Sequence, residues 1–444
     1  MQDDIIENYI RVGTDYYRKS NRPSAYKDKK GENFMEESLT KWSKGEIETD
    51  FGKGYLDKVT KYVGFCNEPN HIDFRQEVHE YYNQYFELEH KIEAGTWEFT
   101  EMYLRHIFGE QYELGLDYLA LLYLQPTERL PILCLVSQEQ TTGKSTFVFW
   151  LKDIFGTNAT LNSNEDFESR FNSDWAGKLL IGVEETLVEK NIIYERIKSL
   201  STSGHYKSES KGRDKKEVEF FGKFVLCSNH ETTFVPMHVE ETRFWVRRIN
   251  SIRKTEKGEI TNLRELMKKE IPYFLFFLKN RGVKTPNSGR LWFAPEMYDT
   301  EALQAAKQAN RPKVEKEILE IVGERMEIQN LKSICFTSAD LYKIIKECGL
   351  KGDKPYIDRI LKENLKKTNK NSSYKLYTDE EGISFNKKGR YYEFTYKEVF
   401  GKSHPDESKE TKIVTLKNED SVNELFMSEN ERLKANTKRF SEDL

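Results

Sequence analysis

Cysteine is scarce in this chain of 444 residues: Cys66, Cys134, Cys227, Cys335 and Cys348 are odd in number, far apart and without CxxC spacing. That pattern excludes a zinc knuckle and a secreted disulfide framework, and it fits a reduced, cytosolic compartment. Long apolar runs are missing as well. No stretch approaches 18 uninterrupted apolar residues, so no membrane partner is expected, and the opening MQDDIIENYIRVG lacks the basic-then-apolar order of a secretory signal. Neither sign of charge dominates, since 70 basic residues face 74 acidic ones for a net charge of -4. Any surface for a polyanion must therefore be local rather than global. Internal repeats are absent, and after Gly401 the chain is poor in apolar residues, which predicts a disordered or loosely helical tail over 401–444.

What remains is enough for roughly two to four compact units. Residues 1–125 carry three stretches with apolar recurrence every three to four positions, FRQEVHEYYNQYFELEHKI, WEFTEMYLRHIFG and YELGLDYLALLYLQP, and are expected to form a helical N-terminal region. From Leu130 the texture changes. PILCLV, KLLIGV and KFVLCS are short apolar runs suited to strands buried on both faces, separated by helix-like segments, so 126–250 is expected to be an α/β core with a parallel sheet. Residues 251–310 return to helical periodicity. Residues 311–400 order helix, helix and a strand-like hairpin in the manner of a winged helix.

The chemistry concentrates in SQEQTTGKSTFVFWL, where Gly143, Lys144 and Ser145 follow a strand and open a helix. A bare GK[ST] triplet arises by chance in about one chain of this size in five. The strand-loop-helix setting is what gives it meaning, because loop N–H groups and the helix N-terminus then face a phosphate, with Thr142, Gly143, Lys144, Ser145 and Thr146 around it. In that arrangement Lys144 reaches the β and γ phosphates of ATP and Ser145 ligates Mg2+. Forty residues on, KLLIGVEET ends an apolar strand in Glu184 and Glu185, where a P-loop ATPase carries one carboxylate for magnesium and one for water. Asn229 ends the next apolar strand, and ETRFWVRRI offers Arg243 as a guanidinium for a neighbouring subunit's phosphates. Between them GHYKSESKGRDKKEVEFFGK reads as a β-hairpin whose Lys207, Lys211, Arg213, Lys215 and Lys216 could grip a DNA backbone.

The order of TTGKST, LLIGVEE, the basic hairpin, FVLCSN and ETRFWVRRI across residues 130–250 resembles superfamily 3 helicases, in particular the helicase part of primase-helicase proteins of bacteriophages, large DNA viruses and mobile elements. The resemblance implies an AAA+-type ATPase core, a ring that is usually a hexamer, and translocation on single-stranded or forked DNA. It makes Lys144 and Ser145 the phosphate and magnesium residues, Glu184 and Glu185 the acidic pair, Asn229 the sensor and Arg243 the finger acting in trans. Two positions depart from the pattern: Gln138 stands where the loop signature has its first glycine, and Thr141 where another is common. Before Leu130 the paired acidic motif and histidine of an archaeo-eukaryotic-type primase cannot be placed, so a separate primase or polymerase chain is the expected partner. The alternative expectation is an ATP-binding replication initiator or helicase loader that binds DNA without processive unwinding.

Overall fold

In the computed structural model, residues 8–27, 33–163, 166, 175–185, 191–208, 216–251, 262–347 and 353–406 are described. They fall into two compact units, Met1–Asn310 and Arg311–Leu444.

The first unit is mixed α/β. Its N-terminal strands are β1 Tyr9–Val12, β2 Asp15–Lys27, β3 Asn33–Trp42 and β4 Thr60–Tyr62, in the order β3-β2-β1-β4, followed by β5 Gly64–Cys66, β6 Glu77–Val78 and β7 Tyr81–Asn83 in the order β5-β7-β6. This corrects the expectation of a helical region over 1–125. Of the three stretches read as helices, the second and third occur as Glu98–Phe108 and Tyr112–Leu124, but the first does not form. His79 (φ +48) and Glu80 (φ +65) turn the chain back into a β6–β7 hairpin, and a left-handed pair cannot lie inside a right-handed helix. Beyond the turn Asn83 satisfies its whole amide, donating to the carbonyls of Glu68 and Arg75 and accepting from the N–H groups of Glu68 and Tyr85. The tyrosines that mimicked a helical stripe thus serve a strand and a side-chain-organised loop, with Tyr82 and Tyr85 buried.

The central sheet consists of β8 Ile132–Val136, β9 Ala159–Asn162, β10 Leu180–Val183, β13 Lys223–Ser228 and β14 Phe244–Arg248, all parallel, in the order β14-β8-β13-β10-β9. Between β10 and β13 the chain makes the antiparallel pair β11 His205–Ser208 and β12 Lys216–Glu219. Alternation along the core strands divides two apolar layers. Leu133, Leu135, Val225, Cys227 and Trp245 face the helix Lys144–Phe155, whose Phe147, Val148, Trp150 and Leu151 are buried against them. Ile132, Cys134, Val136, Ile181, Val183 and Leu226 face the other way, onto Ile193, Tyr194 and Ile197 of the helix Asn191–Thr202 and onto Leu303 and Ala306 of the helix Glu301–Ala309. Each large side chain buried this way contributes about 1.5–3 kcal/mol. Gly182 in β10 is where the first layer comes closest, since a Cβ there would overlap Val148.

The segments 1–125, 126–250 and 251–310 do not stand apart. Tyr103, Leu104 and Ile107 from the first, Phe147 and Trp150 from the second, and Met267, Ile271 and Phe274 from the third share one core. Two short-range locks reinforce it: Glu270 of the helix Leu263–Arg281 accepts from the Thr100 N–H (2.7 Å) and hydroxyl (2.7 Å) at the start of the helix Glu98–Phe108, and Arg264 is bidentate to Asp153.

The second unit runs helix Lys313–Ile328, β15 Ser333–Phe336, helix Ser338–Glu347, helix Lys354–Arg359 continuing as a wider turn through Asn364, β16 Asn369–Tyr377, β17 Ser384–Thr395 and helix Tyr396–Phe400. Its antiparallel sheet has the order β15-β17-β16 over a core of Ile318, Val322, Phe336, Leu341, Ile357 and Phe394. The expected tail from 407 onward lies outside the described residues.

Candidate functional site

All five core strands point their C-terminal ends the same way, and in such sheets that edge is where ligands gather. The loop from Ser137 to Gly143 leaves β8 at this edge and enters the helix Lys144–Phe155. Two residues of the loop have positive φ: Thr141 at +58 and Gly143, the residue preceding the helix, at +95. Glycine takes such a conformation freely, whereas a β-branched residue pays about 1–2 kcal/mol for it. The chain therefore makes, with a threonine, a turn that a glycine would make without strain.

Much of what holds the loop comes from outside it. Tyr103 donates its hydroxyl to the Gly143 carbonyl (2.7 Å), and His106, one turn later on the same helix, meets the Thr142 carbonyl through Nε2 (2.9 Å). A carbonyl only accepts, so His106 carries its proton on Nε2. The Gln138 N–H donates to Glu231 (3.2 Å), and Glu231 is paired with Arg248 (3.1 Å) at the end of β14. Glu139 accepts from the N–H and hydroxyl of Ser251. With both carbonyls at the turn tied backward, the loop's path into the helix is set by the helix Glu98–Phe108.

Lys144 is buried, and its Nζ approaches the carbonyls of Ser137 and Glu139 (both 3.3 Å) and the Thr142 hydroxyl (3.2 Å). Ser145 and Thr146 follow in the first turn, each half-buried. Strand order brings the other candidates alongside. β13 lies between β8 and β10, with Ser228 opposite Val136 and Leu226 opposite Val183, so Asn229, exposed at the tip of β13, sits between the loop and the acidic pair. Glu184 is half-buried and Glu185 exposed with φ +53, a second non-glycine residue bent into the left-handed region at this edge.

Arg243 is not part of this group. Its carbonyl accepts from the N–H of Ile132, the first residue of β8, which fixes it at the opposite end of the sheet. Roughly 13 Å of strand separate it from the loop at 3.3 Å per residue. There it is bonded to Glu241 (2.8 Å). Burial would raise the Glu241 carboxyl, but the hydrogen bond and charge of Arg243, with Lys198 behind, outweigh it and hold the group below the usual range. Arg243 shares a shallow groove of about 370 Å³ with Lys198, Ser203 and Arg290. Ser203 adjoins the base of the β11–β12 hairpin, where the Gly204 carbonyl accepts from the Phe220 N–H (3.1 Å). Lys207 and Lys216 lie on the hairpin strands, and Lys211, Arg213 and Lys215 lie outside the described residues.

Beside the loop, a cavity of about 830 Å³ is lined by His106, Glu110, Gln111, Arg247, Arg248 and Asn250. Arg247 is buried and paired there with Glu110 (2.5 Å), whose carboxyl that hydrogen bond holds below its ordinary range. Tyr103, His106, Glu231 and, of the cavity residues, Glu110, Gln111 and Asn250 were not singled out by the sequence. Their partners lie tens of residues away, and no local spacing marks such contacts. Among the described residues no cluster of three or more His, Cys, Asp or Glu could hold a metal by itself, and no helix is long and apolar enough to cross a membrane.

A family of unknown function (DUF5906) matches residues 135–248, which run from near the end of β8 to the end of β14. No curated protein matches the chain. Among solved structures it is similar to the apo structure of the C-terminal region of NrS-1, residues 305–718, with a TM-score of 0.60 at 15% identity over 88% of this chain and 97% of that one. The A form of the same region gives a TM-score of 0.57 at 16% identity over 88% and 97%, and a further A form 0.59 at 16% over 88% and 98%. At these identities the likeness is one of fold, and it extends over both compact units.

Proposed function

We propose that the chain is a ring-forming, AAA+-type P-loop ATPase that moves on DNA in replication, with a winged-helix-like second unit. The observation that carries the proposal is the loop after β8: a buried lysine at a helix N-terminus, carbonyls tied back by Tyr103 and His106, and Asn229 and the Glu184–Glu185 pair on the next two strand tips.

ATP would lay its phosphates on the loop N–H groups and its nucleoside toward the cavity lined by His106, Gln111 and Arg248, whose size suits a ligand of that kind. Lys144 would exchange loop carbonyls for the β and γ phosphates. The donor set fits magnesium, which is held by one or two side chains plus phosphate oxygens rather than by a dense protein cage. Ser145 and Glu184 would hold the ion, and the ion supplies positive charge to the phosphate oxygens. Glu185 would orient the attacking water, and Asn229 would contact that water or the γ phosphate. Arg243 lies a strand's length from its own loop, so its guanidinium serves only a neighbouring subunit's nucleotide, and this is why the proposal needs a ring, most simply a hexamer. The groove of Arg243 adjoins the base of the β11–β12 hairpin. Hydrolysis at one interface would therefore be felt where Lys207, Lys211, Arg213, Lys215 and Lys216 grip single-stranded DNA.

The test is ATP turnover measured without DNA, with single-stranded DNA and with duplex. Stimulation by single strands supports the motor. ATP binding with no DNA-stimulated turnover moves the chain to the initiator or loader class. Mixing Arg243→Ala with Lys144→Ala subunits restores turnover if the finger acts in trans, because one interface type then has both groups; absence of any restored turnover contradicts that role.

A further inference from the structure

Around Arg243 every backbone polar group is tied, and only the far end of the side chain is left over. The Thr242 N–H (3.1 Å) and the Arg243 N–H (3.0 Å) donate to one oxygen of Glu241, and Arg243 Nη1 donates to the same oxygen (2.8 Å). The Thr242 carbonyl accepts from the Tyr298 hydroxyl (2.6 Å), and the Arg243 carbonyl from the Ile132 N–H (2.8 Å). The second Glu241 oxygen meets the Tyr194 hydroxyl (3.1 Å) and Lys198 Nζ (3.3 Å), both on the helix Asn191–Thr202. Glu241 is only 3% exposed, so solvent screens these contacts little. Among the described residues Arg243 Nε and Nη2 have no hydrogen-bond partner, and the side chain, 26% exposed, opens on the groove of Ser203 and Arg290.

A buried ion pair is a weak source of stability, because desolvating both charges offsets their attraction. As a mount for a guanidinium the arrangement has a clear use. An arginine side chain has many rotamers, and holding it still before its ligand arrives removes that ordering cost from the step that needs the charge. One carboxylate oxygen that takes both the N–H and Nη1 of the same residue fixes the guanidinium against its own backbone. Ile132 then fixes that backbone to the first residue of β8. Because only Nη1 is engaged, Nη2 can bond a phosphate oxygen without breaking the mount.

We propose that Glu241 is the positioning residue of the finger: it holds Arg243 oriented for the phosphates of a neighbouring subunit's nucleotide and acts only through that guanidinium. The inference rests on the reading of Arg243 as a finger in trans. The test is Glu241→Gln in the full chain, which keeps the side-chain shape and removes the charge. With magnesium and single-stranded DNA its kcat for ATP should fall about 100-fold, the scale of a misplaced catalytic group, while affinity for a fluorescent ATP analogue stays within about twofold. Mixed with Lys144→Ala subunits it should regain turnover, because an intact loop then meets an intact finger. Mixed with Arg243→Ala it should not, because both lesions lie on the finger side. Tyr194→Phe removes one bond to the carboxylate, and its kcat should fall about fivefold with the same pattern of rescue; where Glu241→Gln fails to fold, this variant decides. Wild-type kcat in either folded variant overturns the proposal. So does a Glu241→Gln protein that melts as wild type does yet regains nothing from Lys144→Ala subunits, when Arg243→Ala regains turnover from them. If Arg243→Ala and Lys144→Ala fail to complement each other, the trans reading itself falls, which is a separate result.

Discussion

Thr141→Gly separates a strained loop from an ordinary one. At φ +58 the threonine costs about 1–2 kcal/mol relative to a relaxed residue, and glycine removes that cost. Against this stand roughly 0.5–1 kcal/mol of added unfolded-chain entropy and an exposed hydrogen bond from the Thr141 hydroxyl to the Gln140 carbonyl (2.7 Å), worth about 0.5 kcal/mol. The terms nearly cancel, so Thr141→Gly should lie within about 0.5 kcal/mol of wild type. Gln140 has ordinary negative φ, and Gln140→Gly adds the same entropy with no relief, so it should destabilise by about 0.5–1 kcal/mol. Urea unfolding followed by tryptophan fluorescence reads the right unit, because Trp150 and Trp245 are fully buried in its core. If Thr141→Gly destabilises as much as Gln140→Gly, the loop is not strained at Thr141 and the argument for its being pinned from outside fails.

Tyr103→Phe removes the donor to the Gly143 carbonyl, which keeps its bond from the Phe147 N–H; nucleotide affinity should fall about fivefold for roughly 1 kcal/mol of lost support, measured by titration with a fluorescent ATP analogue. Glu185→Gln should keep that affinity and lower turnover by about 100-fold or more, the scale of a lost water-orienting base. His71 gives a pH prediction: it donates through Nδ1 to the Tyr123 carbonyl and accepts through Nε2 from Tyr85, which fixes it neutral, and burial lowers its pKa from 6.5 to about 4. The unfolded chain therefore takes up the proton first, and stability falls as pH drops from about 6.5 to about 4. In His71→Gln that component should vanish, so the wild-type advantage seen in urea titrations at pH 7 should shrink by pH 4.

Much of this was legible in the chain. PILCLV, KLLIGV and KFVLCS became β8, β10 and β13 because strands buried on both faces need unbroken apolar runs. The strand-loop-helix setting of Lys144 was legible because its signal is local, a lysine at fixed spacing between an apolar run and a helical one. Residues 74–92 were not, since tyrosines at helical spacing also suit a hairpin and His79–Glu80 bears no glycine or asparagine to announce the turn. Strand order was likewise hidden: no short pattern reveals that β13 would lie between β8 and β10, and that order sets Asn229 between Lys144 and Glu184, while the parallel run of β14 beside β8 puts Arg243, just before its first residue, at the opposite end of the sheet. Gln138 and Thr141, which looked like damage to the loop, are accommodated by Glu231, Tyr103 and His106, contacts that fold-level packing supplies and sequence spacing does not.

The most direct measurement is steady-state ATP hydrolysis by the purified chain, with magnesium and single-stranded DNA, beside Lys144→Ala. The account predicts turnover in wild type that DNA stimulates, and its loss in the variant without loss of folding or assembly. Turnover at the wild-type rate in Lys144→Ala, or none in wild type under any of these conditions, would contradict it.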